Sequence, residues 1–256
     1  AARAAPTSLM AVRTALAGLR SGPLTLSREA SHHLCRVLRL GKGDRFVAFD
    51  PTTRMEADGT IVDPSGETAQ VSIFEVRPGA VTAEAPLVLV YGLATGSKVD
   101  AVVRDATELG ATRIVIARTS RAVAKVEDAR IGVKVARWQR IAEQAARQCG
   151  RADPPAVEGV LAWRAALDVA ATATDVRYCL WENASLPLGR TLLANIRERS
   201  SLAFAIGPEG GLTEDEVEEA RLVGFGAVSL GRFVLRTETV AAAVLGAVRI
   251  LADCPA

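Results

Sequence analysis

Three short stretches carry residue types able to bind or polarise a ligand. They are GLATGSK (Gly92–Lys98), GPEGG (Gly207–Gly211) and LGRFVLRTET (Leu230–Thr239). GPEGG ends an apolar run and is followed by Thr213, Glu214, Asp215 and Glu216. Gly210 and Gly211 permit positive φ and let a ligand come close to the backbone. Thr213 and Glu216 have the T-x-x-E spacing of a capping box. Three acids in one first turn complement the helix macrodipole, so a pyrophosphate would be repelled there. The pattern suits a neutral or cationic ligand with ring and ribose groups, or a tight strand-to-helix turn with no ligand. LGRFVLRTET sets Arg232, Arg236 and Glu238 beside Gly231, with Thr237 as a cap for the final helix. It reads as a surface ion pair near a cap or as a ligand loop. GLATGSK fails the phosphate-loop pattern because Ser97 separates Gly96 from Lys98. No G-x-G-x-x-G follows a strand-like run, which argues against a dinucleotide site.

A fourth constellation is cationic. Arg137, Arg140, Gln144, Arg147 and Arg151 are spaced 3, 4, 3 and 4 apart, so a helix would place all five on one face. Such a face is either solvated surface or a row of phosphate contacts. His32 and His33 have neither metal-ligand spacing nor a triad partner. Four scattered cysteines, Cys35, Cys149, Cys179 and Cys254, form no C-x-x-C pair, which argues against zinc or a disulfide framework and for a reducing cytosol. Trp138, Trp163 and Trp181 read as core.

The elements that must position these residues fall into two parts. VRPGAVTAEAP (Val76–Pro86) has two prolines, a glycine and few large apolar groups, and is a plausible hinge. Before it, one helix around 27–38 precedes short β-like runs at 45–49, 56–62 and 69–76, separated by DPTTR and DPSGE. Alternation in QVSIFEV puts Val71, Ile73 and Glu75 on one side and Ser72, Phe74 and Val76 on the other. A small antiparallel barrel or sandwich is expected. After the hinge, strand-like runs at 87–93, 113–117, 176–181, 201–206 and 227–230 alternate with helical periodicity. Val99, Val102, Val103, Ala106 and Leu109 form one apolar stripe. Ile131, Val135, Trp138, Ile141 and Ala145 form a second, and Val240, Val244, Ala247 and Leu251 a third. A mostly parallel sheet covered by helices is expected, with ligands at the carboxyl ends of its strands.

The 256 residues carry a net charge of only +2. Twelve Lys/Arg against six acids lie between Lys98 and Arg151, however, and one Arg against six acids between Leu202 and Gly224. A basic sector on a near-neutral chain permits nucleic-acid binding. The first 26 residues hold Arg3, Arg13 and Arg20 and no acid. That reads as a transit peptide or as a tag remnant followed by a basic arm. The apolar runs are too short to span a bilayer.

In order and spacing, HHLCRVLRLGKGD, ATELG, RWQRIAEQAARQCGR, IGPEGGLTEDE and LGRFVLRTETVAA resemble the bacterial 16S ribosomal RNA uridine-N3 methyltransferases of the SPOUT superfamily. The resemblance covers about 26–251. It implies an α/β protein with a PUA-like, RNA-binding β-barrel over 1–77, arm included. A linker at 78–86 and a methyltransferase domain with a deep trefoil knot over 87–256 would follow. It further implies S-adenosylmethionine as cofactor, the small ribosomal subunit as substrate, a homodimer, a cytoplasmic location, and neither a metal nor a membrane.

Carried over by residue, the cofactor-binding set is Leu93 and Ala94 on the first loop. Ile206, Gly207, Pro208, Glu209 and Gly210 form the second loop, and Leu230, Gly231, Leu235, Arg236, Thr237 and Glu238 the third. Arg236 would stabilise a developing imide anion, and Glu238 would orient Arg236 or take the proton. Arg36, Arg39, Lys42, Arg140, Arg147 and Arg151 would hold RNA phosphates. Two positions depart from the family pattern. Asp105 stands where lysine is common before ATELG, and Arg13 is followed by Thr14 and Ala15 in place of aromatics. Rival readings are a SPOUT methyltransferase acting on tRNA or large-subunit rRNA, and a non-catalytic RNA-binding assembly factor.

Overall fold

The computed structural model describes residues 12–83, 85–197 and 200–252. Arg3 and the rest of the arm to residue 11, linker residue 84 and Cys254 lie outside the described residues. The chain divides into two compact units, 1–82 with 146–154, and 83–145 with 155–256.

In the first unit, strands β1 (Arg13–Ala15), β2 (Gly22–Thr25), β3 (Arg45–Asp50), β4 (Met55–Asp63) and β5 (Gln70–Ile73) form one sheet. Its order is β1-β3-β4-β5-β2, and the short β6 (Arg77–Pro78) pairs with β4. Only β1–β3 is parallel. Helix α1 (Arg28–Ser31) starts where the Ser27 hydroxyl accepts from the Ala30 amide. It continues as a wider, π-type turn over His32–Val37. Leu26, Leu34, Phe46, Ile61, Val71 and Ile73 pack the interior. The QVSIFEV alternation holds to Ile73. Val71 and Ile73 are buried and Phe74 is exposed, but the strand ends there and Glu75 lies beyond it.

Arg13 has a structural role. Its Nη2 lies 2.9 Å from Glu56 Oε2, its guanidinium stands over the Phe49 ring at 5.4 Å, and Glu56 is fully buried. Arg77 approaches the second Glu56 oxygen at 3.3 Å. A buried carboxylate needs such partners, because losing one strands its charge in a poorly solvating interior.

The second unit is a six-stranded, all-parallel sheet in the order β12-β10-β11-β7-β8-β9. Its elements in sequence are β7 (Leu87–Gly92), α2 (Lys98–Glu108), β8 (Arg113–Arg118), α3 (Asp128–Cys149, of which 146–149 belong to the first unit), β9 (Ala156–Ala162) and α4 (Trp163–Ala173). They continue with β10 (Val176–Leu180), α5 (Gly189–Arg197), β11 (Leu202–Ile206), α6 (Glu214–Leu222), β12 (Gly226–Val228) and α7 (Thr237–Ala252). Side chains of β7 alternate between two cores. Leu87, Leu89 and Tyr91 join the stripes of α2, α3, α5 and α7. Val88 and Val90 join Trp163, Leu167 and Val217 of α4 and α6. Burying both faces explains why these strands read as continuous apolar runs. Strand order reverses about β7, so the loops after β7 and β11 leave neighbouring strand ends, where parallel sheets place ligands.

Candidate active site

A cavity of about 840 Å³ opens at the carboxyl ends of β10, β11 and β12. Its walls come from GPEGG, from LGRFVLRTE and from Leu180–Glu182, with Lys98 at the start of α2. Every expected cofactor residue of the second and third loops lines it: Ile206, Gly207, Pro208, Glu209 and Gly210, and Leu230, Gly231, Leu235, Arg236, Thr237 and Glu238. Leu93 and Ala94 do not. Both are buried; the Leu93 amide donates to the Ala117 carbonyl, and Leu93 borders a separate cavity beside the loop 118–128.

The first loop instead acts through Thr95 and Lys98. Glu209 Oε1 accepts from the Thr95 amide at 2.9 Å, the Thr95 hydroxyl at 2.6 Å and Lys98 Nζ at 3.0 Å. Burial alone would raise the Glu209 pKa, but the hydrogen bonds from Thr95, with Lys98 behind them, hold it down at about 2. Glu209 is therefore an ionised tie between the first and second loops.

The second loop is shaped by close backbone approaches. A Cβ on Gly92 would lie 2.5 Å from Pro208 N. A Cβ on Gly210 would lie 2.7 Å from the Arg121 carbonyl oxygen, so the space kept free at Gly210 is filled by the protein's own chain. Gly211 does take positive φ, at 70°. Beyond it the expected capping box forms. Thr213 Oγ1 accepts from the Glu216 amide, and Glu216 Oε2 from the Thr213 amide. Glu216 Oε1 also accepts from the Ser120 amide at 2.6 Å, which draws the loop after β8 against this helix start.

Thr237 opens α7, but its hydroxyl does not cap that helix; it donates to the Gly207 carbonyl oxygen at 2.5 Å. Beneath it, the buried Tyr91 hydroxyl makes no hydrogen bond of good geometry. Burial pushes the Tyr91 pKa up; the nearby Thr237 hydroxyl opposes this, and the charges of Glu238 and Glu209 reinforce it. Glu238 Oε2 is also buried without a donor. No hydrogen bond or ion pair joins Glu238 to Arg236, so the expected orienting contact is absent among the described residues. Arg236 is exposed and has no carboxylate partner there. Trp181, expected in the core, is half-buried and lines the cavity beside Glu182. Both follow β10, and the strand-end rule applied to that strand would have found them.

Of the expected phosphate contacts, Arg36, Arg39, Lys42 and Arg140 are exposed and Arg147 is half-buried. In the first unit, burial first and then the positive charge of Arg147 lower the His33 pKa. Arg151 is a correction. Helix α3 ends at Cys149, and Gly150 takes φ 85°. The Arg151 amide then returns to the Ala146 carbonyl, the Schellman arrangement that turns a chain off a helix. Arg151 thereby leaves the stripe and is buried, with its guanidinium on the Asp153 carboxylate and carbonyl. Arg137 is held at 2.5 Å by Asp100, so the stripe is not purely free cation. Asp105 is paired with Arg104 beside it.

Among the described residues no three His, Cys, Asp or Glu side chains gather in a way that would hold a metal ion. No described helix is long and apolar enough to cross a membrane.

Comparison with known proteins matches an RNA methyltransferase domain over residues 82–249 and an RNA methyltransferase PUA domain over 26–74. The ribosomal RNA small subunit methyltransferase E of Synechocystis sp. is 32% identical over 231 residues, 90% of this chain and 74% of that protein. The crystal structure of the ribosomal RNA small subunit methyltransferase E from Neisseria gonorrhoeae, bound to S-adenosyl methionine, superposes with a TM-score of 0.81. It is 27% identical and covers 94% of this chain and 98% of its own. A Legionella pneumophila protein whose structure holds the bound cofactor S-adenosyl methionine gives a TM-score of 0.82 at 26% identity, over 94% of this chain and 97% of its own.

Proposed function

The chain belongs to the RNA methyltransferase family, in its ribosomal RNA small subunit methyltransferase E group, and from that membership we propose that it methylates 16S ribosomal RNA at uridine N3, using S-adenosylmethionine. The observation that carries the reading is the cavity. The two loops whose sequences resemble that group, GPEGG and LGRFVLRTE, meet around it at the strand ends. Its chemistry fits the cofactor. Glu209 is ionised, Glu238 keeps a buried oxygen without a donor, and α6 opens with three acids of its own. Such a site disfavours phosphate and suits a sulfonium compound without phosphates. Ile206–Gly210, Leu230, Gly231 and Leu235–Glu238 would hold it, and when bound it supplies an electrophilic methyl group.

The chain's own residues do the rest. N3 of uridine is a weakly acidic imide on the Watson–Crick edge, so the base must be unpaired or turned out of its stack. Arg236, exposed and unpaired among the described residues, is placed to stabilise negative charge developing on the imide. Glu238, which lines the same cavity, is the acceptor for the N3 proton. Arg36, Arg39, Lys42, Arg140 and Arg147 bind phosphates. The proposal extends to a homodimer, a trefoil-knotted second unit and a cytoplasmic enzyme working where ribosomes assemble.

The test is labelled methyl transfer to small ribosomal subunits lacking the modification, to naked small-subunit RNA and to bulk tRNA, with the product mapped. Transfer to uridine N3 in small-subunit RNA is expected. Transfer confined to tRNA would keep the enzyme class and overturn the substrate. Absence of both transfer and cofactor binding would favour an assembly factor.

A further inference from the structure

We propose that Phe233, with Arg232 laid over its ring, is the stacking platform for the flipped pyrimidine at the mouth of the cavity. The proposal rests on the RNA methyltransferase reading and adds a substrate-binding residue to it.

Phe233 is 72% exposed and its neighbour Val234 87%, yet both line the cavity. A phenylalanine left this open gains little from folding, because its apolar surface stays in water. Its position is nonetheless defined. The loop leaves β12 through Gly231, whose φ of 99° favours glycine, and is pinned at its far end by the Thr237–Gly207 hydrogen bond. The Arg232 guanidinium carbon lies 5.2 Å from the Phe233 ring centroid, within cation–π range. Arg236, unpaired among the described residues, is on the same rim.

An aromatic ring flanked by unpaired arginines is the composition that proteins use to hold single-stranded bases, the ring stacking and the cations drawing the phosphates. A cavity of about 840 Å³ lies toward the upper end of the roughly 300–1,000 Å³ usual for one small-molecule site, which leaves room for a base beside the cofactor. Stacking holds any pyrimidine by its face, so the Watson–Crick edge stays free to meet Arg236 and Glu238. Arg232 and Arg236, both exposed beside Phe233, favour the phosphates of RNA over a second copy of this chain as the covering partner.

The experiment compares wild type, Phe233→Ala and Phe233→Trp in the full chain. It measures kcat/KM on unmodified small subunits, cofactor affinity by calorimetry and oligomeric state by sedimentation. Phe233→Ala should lower kcat/KM by about tenfold to a hundredfold, the size of one lost base–aromatic stack. Cofactor affinity and sedimentation should not change, and Phe233→Trp should restore most of the rate. Wild-type kcat/KM in Phe233→Ala, a parallel loss of cofactor affinity, or a changed oligomeric state would each overturn the platform. If wild type transfers no methyl group at all, the enzyme reading fails separately. The platform is then judged by the affinity of wild type, Phe233→Ala and Phe233→Trp for single-stranded oligouridine, read by fluorescence anisotropy. Weaker binding by Phe233→Ala that Phe233→Trp restores supports stacking, and any other pattern rejects it.

Discussion

The Thr237 hydroxyl donates to the Gly207 carbonyl oxygen at 2.5 Å, joining residues 30 apart in sequence. The second and third loops are thus held together before any ligand arrives. A buried carbonyl that loses its donor costs about 1–3 kcal/mol. Thr237→Val keeps the shape and removes the hydroxyl. It should lower unfolding stability by about that amount and weaken cofactor binding several-fold, whereas Thr237→Ser should stay near wild type. Urea unfolding and calorimetry read the two effects.

Glu209 ties the first loop to the second as an anion. Its folded pKa of about 2 is below the usual glutamate value of 4.5, so the folded state binds that proton less tightly than the unfolded chain does. The stabilisation is complete above the unfolded pKa and is lost as pH falls from there through about 2. The stability gap between wild type and Glu209→Gln should therefore be constant from about pH 6 to pH 9 and close below about pH 4.5. A gap that instead opened or closed near neutrality would assign the tie to another group.

Gly92 and Gly210 are constrained by backbone that a side chain would strike at 2.5 and 2.7 Å. Neither obstacle is the flexible end of a side chain, so the loops themselves must move. Alanine at either position should cost roughly 1–3 kcal/mol of stability, the usual range for overpacking, and reduce cofactor affinity at least tenfold. Gly189→Ala, where a Cβ meets nothing within 4 Å, is the control and should leave both unchanged.

Arg236 is exposed, lines the cavity and, among the described residues, has no carboxylate partner. If it stabilises the imide anion, Arg236→Ala should lower kcat by about a hundredfold or more, the scale of one lost electrostatic donor. Cofactor affinity should fall far less than kcat, because Arg236 is only one of several residues lining the cofactor cavity. Single-turnover transfer with prebound cofactor separates the two, and unchanged transfer would remove Arg236 from the chemistry.

Much of the second unit was legible because burial on both faces leaves apolar runs that hardly admit another reading. The capping box at Thr213 and Glu216 was legible because its chemistry is local. Strand β9 was missed for an equally physical reason. Its register against β8 shifts between Ile116 and Ala117, where Gly159 and Leu161 are the successive partners, and the extra residue breaks the alternation. Thr237 reads as a cap in sequence, which shows a hydroxyl before a helix but not a carbonyl 30 residues away. The Thr95–Glu209–Lys98 tie, which spans 111 to 114 residues, is invisible to local patterns for the same reason.

The arginine stripe separates by the same logic into two kinds of residue. Arg140 is exposed on α3, while Arg151, past the Gly150 turn, is buried against Asp153. If RNA phosphates bind α3, Arg140→Ala should weaken RNA binding at low salt and reduce the slope of log affinity against log salt by about one. It should not alter unfolding. Arg151→Ala should do the reverse. It leaves the buried Asp153 carboxylate without its guanidinium, at a cost of about 3–5 kcal/mol. RNA binding by the remaining folded protein should keep the wild-type salt slope. RNA titrations at several salt concentrations, paired with urea unfolding of the same samples, distinguish the roles. A reduced slope in Arg151→Ala would return that residue to the RNA surface and contradict the turn at Gly150.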